Sequence, residues 1–423
     1  MTRLTLTSIV LATMFALSMA ESACEKNVKI VTQGDLDAIK SCTIFKGVIT
    51  IDTAPVAHLK MEGIQQLTGD LIMSGNVDMV SFSAPNLQKV DGHVKIINHT
   101  ILNKLEFPLL TEINGFHLAV LPALENIGFP AGLTKVNSIR IEDTRAPSID
   151  GFKPETVESF TLLSNKHMKS FDFTSVKDVT GDMLLLDSNF IYFGEFKAEQ
   201  LGSIKTGTFL NVAELQMPAL TLVKSDISFH ENEFTSLTMD KLERIGGTVT
   251  IANNNKLTET SFKSLAVVNG ALSIGNNTQL TSIDGFPVLS EIHGMADLAG
   301  GFAEYKLPAL QDVRGGMRLQ TTSNKVGCSD LERKLKGENI VKGDTWSCSA
   351  SMQESNMVPT VGQSPSVPKS GASGGTSGST GGGSSGSSGS GGENMQASGA
   401  SKVVVQGSSL LALAVGFVYT LGL

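Results

Sequence analysis

The sequence predicts an all-β chain wound as a right-handed β-helix, a solenoid of about 13 coils closed at each end by a short helix and a disulfide. Three observations predict it. Residues 247–255 read GTVTIANNN and residues 270–278 read GALSIGNNT, one phrase written twice, 23 residues apart. The phrase recurs along the chain at spacings of 21–24 residues. The four cysteines stand only at the two ends of the repeating stretch.

Each coil opens on a turn residue: Gly47, Gly69, Gly92, Asn114, Asn137, Glu158, Gly181, Gly202, Ser225, Gly247, Gly270, Gly294 and Gly315. Glycine and asparagine tolerate the left-handed backbone that a sharp turn into a strand often needs. A short strand follows, such as VITI (48–51), HVKI (93–96), SIKT (203–206) or TVTI (248–251). Its alternation puts Ile49/Ile51, Val94/Ile96, Ile139/Ile141 and Val249/Ile251 on one face. Next comes an amide, at Asn76, Asn98, Asn165, Asn232, Asn254 and Asn277, suited to a hydrogen-bonded column at one corner. The coil then bends at an apolar-Pro-x-Leu text, as in LEFPLLTEI (105–113) and LQMPALTLV (215–223). A strand ending in asparagine and a period near 22 also describe leucine-rich repeats. Those pair the strand with a helical or irregular segment, and the remainder of each coil here is too short for a proper helix, which favours the β-helix.

A stack of coils has two open edges, which invite aggregation unless covered. Before the first coil, TQGDLDAIKSC (32–42) has Asp35 near a helix start; after the last, CSDLERKLKG (328–337) has Ser329 as helix cap and Gly337 as stop. Of the three pairings that four cysteines allow, the local ones, Cys24–Cys42 and Cys328–Cys348, staple these caps. Each closes a loop worth about 3 kcal/mol. The cysteine spacing fits no zinc site.

The termini read as addresses. Arg3, the apolar run Leu4–Leu17 and Ser18-Met19-Ala20 form a cleaved secretory signal over residues 1–20. The chain ends on LLALAVGFVYTLGL (410–423), uncharged and shorter than the roughly 20 residues of a membrane-crossing helix. Upstream stand a polar spacer and the small triplet Ser398-Gly399-Ala400, the pattern of a glycosylphosphatidylinositol (GPI) attachment signal. Transamidation would leave the lipid on Ser398, with Gly399 and Asn394 as alternatives, and remove residues 399–423. Between body (21–350) and signal lies a Ser/Gly-rich stretch, residues 351–398, which cannot bury apolar surface and reads as a disordered stalk.

No catalytic or cofactor motif stands out. The seven histidines are scattered, no H-E-x-x-H or G-x-S-x-G occurs, and the only glycine-rich tract is the stalk. A net charge of −8 without a basic run gives no reason to expect nucleic acid. The outward residue between the two inward ones of each strand runs Thr50, Ile72, Lys95, His117, Arg140, Thr161, Leu184, Lys205, Ser228, Thr250, Ser273, Asp297, Arg318. Lys95, His117 and Arg140 fall on consecutive coils as a contact patch for a polyanion or glycan; the plainer reading is a solvated strand face. No carboxylate pair accompanies them, so the general acid–base chemistry of β-helical polysaccharide enzymes lacks support. One Trp and three Tyr argue against a sugar-stacking platform. N-glycosylation sequons stand at Asn98-His99-Thr100 and Asn276-Asn277-Thr278. Asn98 is claimed both by the sequon and by the amide column, and can serve only one.

With SCTIFKGVITI (41–51), a cysteine just before the first coil and a turn into its strand, the start of the body resembles receptor L-domains. With signal, coils, end cysteines, stalk and GPI tail, residues 20–423 resemble the fungal GPI-anchored wall-organisation proteins related to sporulation-specific wall proteins. The resemblance implies a non-enzymatic glycoprotein that supports cell-wall organisation and integrity. It would lie on the outer leaflet of the plasma membrane or in the wall, with wall glucan or other wall proteins as partners and no cofactor. A β-helical carbohydrate-active enzyme and a surface receptor or adhesin are the alternatives.

Overall fold

A computed structural model describes residues 23–186 and 193–360. The signal, most of the stalk and Ser398 lie outside the described residues.

The body is a parallel β-solenoid. In one coil, Leu71–Ser74 lies on the first face, the chain turns a corner at Gly75-Asn76, and Ser81–Ser83 lies on the second face. It bends again through residues 84–87, and Lys89-Val90 lies on the third face. The next coil then opens at Val94, which pairs with Leu71. On the first face the strands stack in register through Ile49, Leu71, Val94, Phe116, Ile139, Phe160, Met183, Gly207, Ile227, Val249, Leu272, Ala296 and Met317. These are thirteen strands joined by twelve turns of the solenoid. Val28–Ile30 and Trp346–Ser349 each add one more strand at an end. The second and third faces are strands too, paired coil to coil, as in His58–Lys60 with Ser81–Ser83 and Gln66-Leu67 with Lys89-Val90. Three strand faces and no helix within the described coils distinguish this chain from a leucine-rich repeat.

The inward residues behave as their alternation predicts: Ile49, Ile51, Val94, Ile96, Ile139, Ile141, Val249 and Ile251 are all buried. Phenylalanines cluster within the column. The Phe160 ring lies 4.7 Å from Phe173 and 4.9 Å from Phe171, and farther along Phe262 stacks on Phe286 at 4.9 Å.

One strand sits elsewhere than the sequence reading put it. SIKT belongs to the third face, where Ile204 pairs with Val179 and Val223. The first-face strand of that coil is Gly207–Leu210, and its outward residue is Thr208 rather than Lys205. Gly207 takes an inward position because a Cβ there would come within 3.0 Å of the Ile204 and Phe209 side chains. A glycine at an inward position carries no apolar signal, so the pattern passed over it.

The opening glycines also have a different reason from the one their type suggests. Apart from Gly47, those of this column do not need left-handed backbone; except at Gly202, where a Cβ would meet nothing closer than 3.6 Å, they are small because turns of adjacent coils touch. A Cβ on Gly270 would lie 2.5 Å from the Gly247 carbonyl carbon, and one on Gly294 2.6 Å from that of Gly270. Left-handed residues occur at the opposite end of the strand: Thr53, Gly75, Asn98, Val120, Asp143, Ser164, Asn211, Glu231, Asn253 and Asn276. Each turns the chain so that the next residue points into the corner.

In five coils that next residue is an asparagine of the amide column: Asn76, Asn165, Asn232, Asn254 and Asn277. Asn232 Nδ2 donates to Asn254 Oδ1 (3.0 Å) and Asn254 Nδ2 to Asn277 Oδ1 (3.0 Å). The same oxygens accept the backbone N–H of Asn232 and Asn254. In the earlier coils Asn76 and Asn165 do the same work, accepting from the N–H of Ala54 and Thr144. Asn98 is not a member. It is the exposed left-handed residue, and His99 occupies the column in its place, fully buried, accepting from Asn76 Nδ2 through Nε2 at 2.9 Å.

Burial holds the pKa of His99 below its ordinary 6.5, and burial does the same to His117 and His230. Above pH 6.5 folded and unfolded chains are both neutral at these rings. As pH falls below it, the unfolded chain binds protons the folded one resists, so stability drops. We expect the melting temperature to fall as pH is lowered from 6.5 towards the depressed folded values. His99→Asn, the residue other coils use at this place, should flatten part of that slope in a thermal melt series; an unchanged slope would remove His99 from the account.

Both caps form. Helix Gln33–Asp37 is preceded by Thr32, whose N–H donates to Asp35 Oδ2 at 2.8 Å. Cys24 is joined to Cys42 and Cys328 to Cys348, the expected local pairs. At the C-terminal cap the residue before the helix is Gly327; Ser329, expected as the cap, lies within the first turn of Cys328–Leu331. A wider turn over Glu332–Lys336 ends at Gly337.

Beyond the cap the chain runs back over the body. Ser351 N–H donates to Ser323 O and Met352 N–H to Thr321 O, both at 3.0 Å. After a short turn at Glu354–Asn356, Val358 N–H donates to Gln320 Oε1 at 2.8 Å, and Thr360 is buried. We call residues 351–360 the strap.

Candidate contact surface

The outer side of the first face divides into three zones. In the first, the register places Lys95, His117 and Arg140 side by side on consecutive strands, about 4.8 Å apart per step. The structure therefore brings together the three residues of the expected patch, but their charges are unequal. Arg140 is paired within its own strand, Nη2 lying 2.7 Å from Glu142 Oε2. His117 is held neutral first by burial and then by the Arg140 guanidinium, and its Nε2 is buried without a hydrogen-bond partner. Lys95 makes no ion pair among the described residues. The result is one free ammonium beside a neutral imidazole and a half-compensated guanidinium, able to grip a single anionic or hydroxyl-rich group. The carboxylate of Glu142 beside this strip is tied to Arg140.

The middle zone is apolar: Leu163, Leu186 and Leu210 stack in one outward row beside Leu184, all half-buried. In the third zone the outward residues are themselves buried. Thr250, Ser273 and Asp297 are at most 5% exposed. Asp297 survives this burial because Arg318, one coil on, donates two bonds to it, Nε to Oδ1 at 2.7 Å and Nη2 to Oδ2 at 2.8 Å. Arg318 Nη2 also donates to Pro359 O of the strap at 2.8 Å. The pair escaped notice in the sequence, although the outward column set an aspartate and an arginine one coil apart.

Between strap and body lies a crevice of about 470 Å³, walled by Asn276, Asn277, Thr278, Glu354, Met357 and Val358. Of the two sequon asparagines, Asn98 is open to solvent and Asn276 stands at this crevice, its Nδ2 donating to Asn253 Oδ1 at 2.9 Å. Among the described residues no group of three or more His, Cys, Asp or Glu is placed to hold a metal, and no helix is long and apolar enough to cross a membrane.

No protein-family model and no solved structure matches the chain. Curated relatives do. Protein ecm33 of Aspergillus fumigatus is 30% identical over 349 residues, 82% of this chain and 85% of the relative. Cell wall protein ecm33 of Schizosaccharomyces pombe is 29% identical over 82% of each chain. A cell surface GPI-anchored protein of Arthroderma benhamiae is 27% identical over 76% of this chain and 81% of its own. With 30% identity over 82% of its length, the chain belongs to the ecm33 family of fungal cell-surface and cell-wall proteins.

Proposed function

We propose that the chain is a non-enzymatic, GPI-anchored cell-surface glycoprotein that supports fungal cell-wall organisation and integrity. The observation that carries this reading is the 82% coverage by an ecm33 protein, with relatives named as cell-wall and GPI-anchored surface proteins. In this reading residues 1–20 direct secretion, residues 21–350 with the strap laid over them form the presenting body, the chain from there to Ser398 is the tether, and residues 399–423 are exchanged for lipid. The membrane partner is reached through that lipid, and the first face meets wall glucan or neighbouring wall proteins.

Cells lacking the chain should become hypersensitive to wall-binding dyes. The full chain should restore resistance, and a version ending at residue 366, which keeps the strap and lacks the rest of the chain, should not. Full rescue by the untethered version would overturn the surface-scaffold reading. At the patch, Lys95→Ala is expected to weaken binding of the body to phosphate-bearing wall glycan by roughly tenfold. Arg140→Ala, already compensated by Glu142, should cost less. Surface plasmon resonance at two salt concentrations checks both, and equal, salt-independent binding by all forms would dismiss the patch.

A further inference from the structure

We propose that Asn276 carries an N-linked glycan whose first hexosamine seats in the crevice beneath the strap, so that sugar and strap hold each other in place. This deepens the reading of the chain as a secreted glycoprotein and rests on it.

The two sequons offer an internal comparison. Asn98 and Asn276 occupy equivalent places, the left-handed residue after a first-face strand, with φ of 59° and 54°. Nothing described crosses Asn98, which is exposed. At Asn276 the strap passes over the corner and leaves a crevice of about 470 Å³, within the range of about 300–1,000 Å³ in which small ligands bind. Its walls suit an acetylated amino sugar. Asn277, Thr278 and Glu354 offer polar groups for hydroxyls and the acetamide, while Met357 and Val358 offer apolar surface for the methyl and a pyranose face.

The chemistry at Nδ2 is compatible with the packing. A primary amide has two hydrogens, and Asn276 uses one of them for Asn253 Oδ1. In oligosaccharyl transfer from a lipid-pyrophosphate donor, Nδ2 attacks C1 of the hexosamine. The C1–O bond breaks, the lipid pyrophosphate leaves, and one amide proton is lost to a base. The product keeps one N–H, enough for the bond to Asn253. Transfer takes place on the unfolded chain, before the strap exists, so the strap closes over a sugar already attached.

The full chain, secreted from a fungal host, would be treated in its native state with an endoglycosidase that cuts within the chitobiose core, and peptides analysed by mass spectrometry. The expected result is glycan on both asparagines, with Asn98 trimmed in the native protein and Asn276 trimmed only after denaturation. Thr278→Val abolishes the sequon while leaving Asn276 in place. It should speed cleavage after Glu354 by a glutamate-specific protease by about tenfold or more, because the strap opens more often. Asn98→Gln should leave that cleavage unchanged. An unmodified Asn276 beside a glycosylated Asn98 overturns the inference alone, as does native trimming of both at one rate or an unaltered strap in Thr278→Val. Absence of glycan from both sites overturns the secretory reading beneath it.

Discussion

Asn254→Leu is expected to be among the most damaging single substitutions in the body, lowering stability by about 3–6 kcal/mol. Asn254 stands at the centre of the three-residue run of the amide column. Its Oδ1 accepts from the backbone and side chain of Asn232, and its Nδ2 donates to Phe229 O, Ala252 O and Asn277 Oδ1. Leucine fills the volume and satisfies none of these groups. The buried N–H of Asn232 and the carbonyl of Phe229 lose their partners, at about 1–3 kcal/mol for each orphaned group. Because coils touch only their neighbours, the damage should concentrate in the adjoining coils. Hydrogen exchange is therefore the informative measurement, with protection lost chiefly across residues 227–280. Asn255→Ala, one exposed position along, is the control and should shift stability by no more than about 0.5 kcal/mol. Equal effects from the two substitutions would mean that the column is incidental to the fold.

Gly294→Val should cost about 3 kcal/mol or more, or prevent folding. The reason is contact between turns. The first added carbon would lie 2.6 Å from the Gly270 carbonyl carbon and 2.7 Å from Ala271 N, and backbone cannot rotate away as a side chain can. Gly128 provides the comparison: a Cβ there meets nothing closer than 3.7 Å. Gly294→Ala and Gly128→Ala are thus the same chemical change in a closed and an open place. Urea titration of both should separate them by more than 1 kcal/mol, the first losing stability. A tolerated alanine at 294 would show that the turns can spread, and that the glycine column is not what sets the spacing of the coils.

Much of this architecture was legible because a solenoid repeats its constraints. Ile49, Ile51, Val249 and Ile251 announce an inward row by alternation alone, and the cysteines announce the capped edges by standing nowhere else. What stayed hidden was of two kinds. At Gly207 and His99 a residue of unexpected type fills a standard place, and only the register shows that the place is the same. A periodic reading scores residue types, so it misplaced one strand and enrolled Asn98 in a column that His99 occupies. The Asp297–Arg318 pair and the strap belong to the second kind. They are contacts between the repeat and a segment that does not repeat, and periodicity says nothing about those. The Lys95–His117–Arg140 alignment was recoverable from spacing, but the compensation of Arg140 by Glu142 depends on side-chain reach within a single strand.

The strap has a mechanical consequence. A tether that simply followed the last strand would transmit any tug to Trp346–Ser349, which lies at the open edge and could be peeled off one hydrogen bond at a time. Here tension on the chain past the buried Thr360 is met at Pro359, gripped by Arg318, which is itself locked to the sunken Asp297. The load enters one strand inboard of the edge, at Arg318, is passed to Asp297 on the strand beyond, and is shared sideways across the sheet as shear. A pull on the chain beyond the strap is thus taken through interior rungs, and the weakest seam is spared.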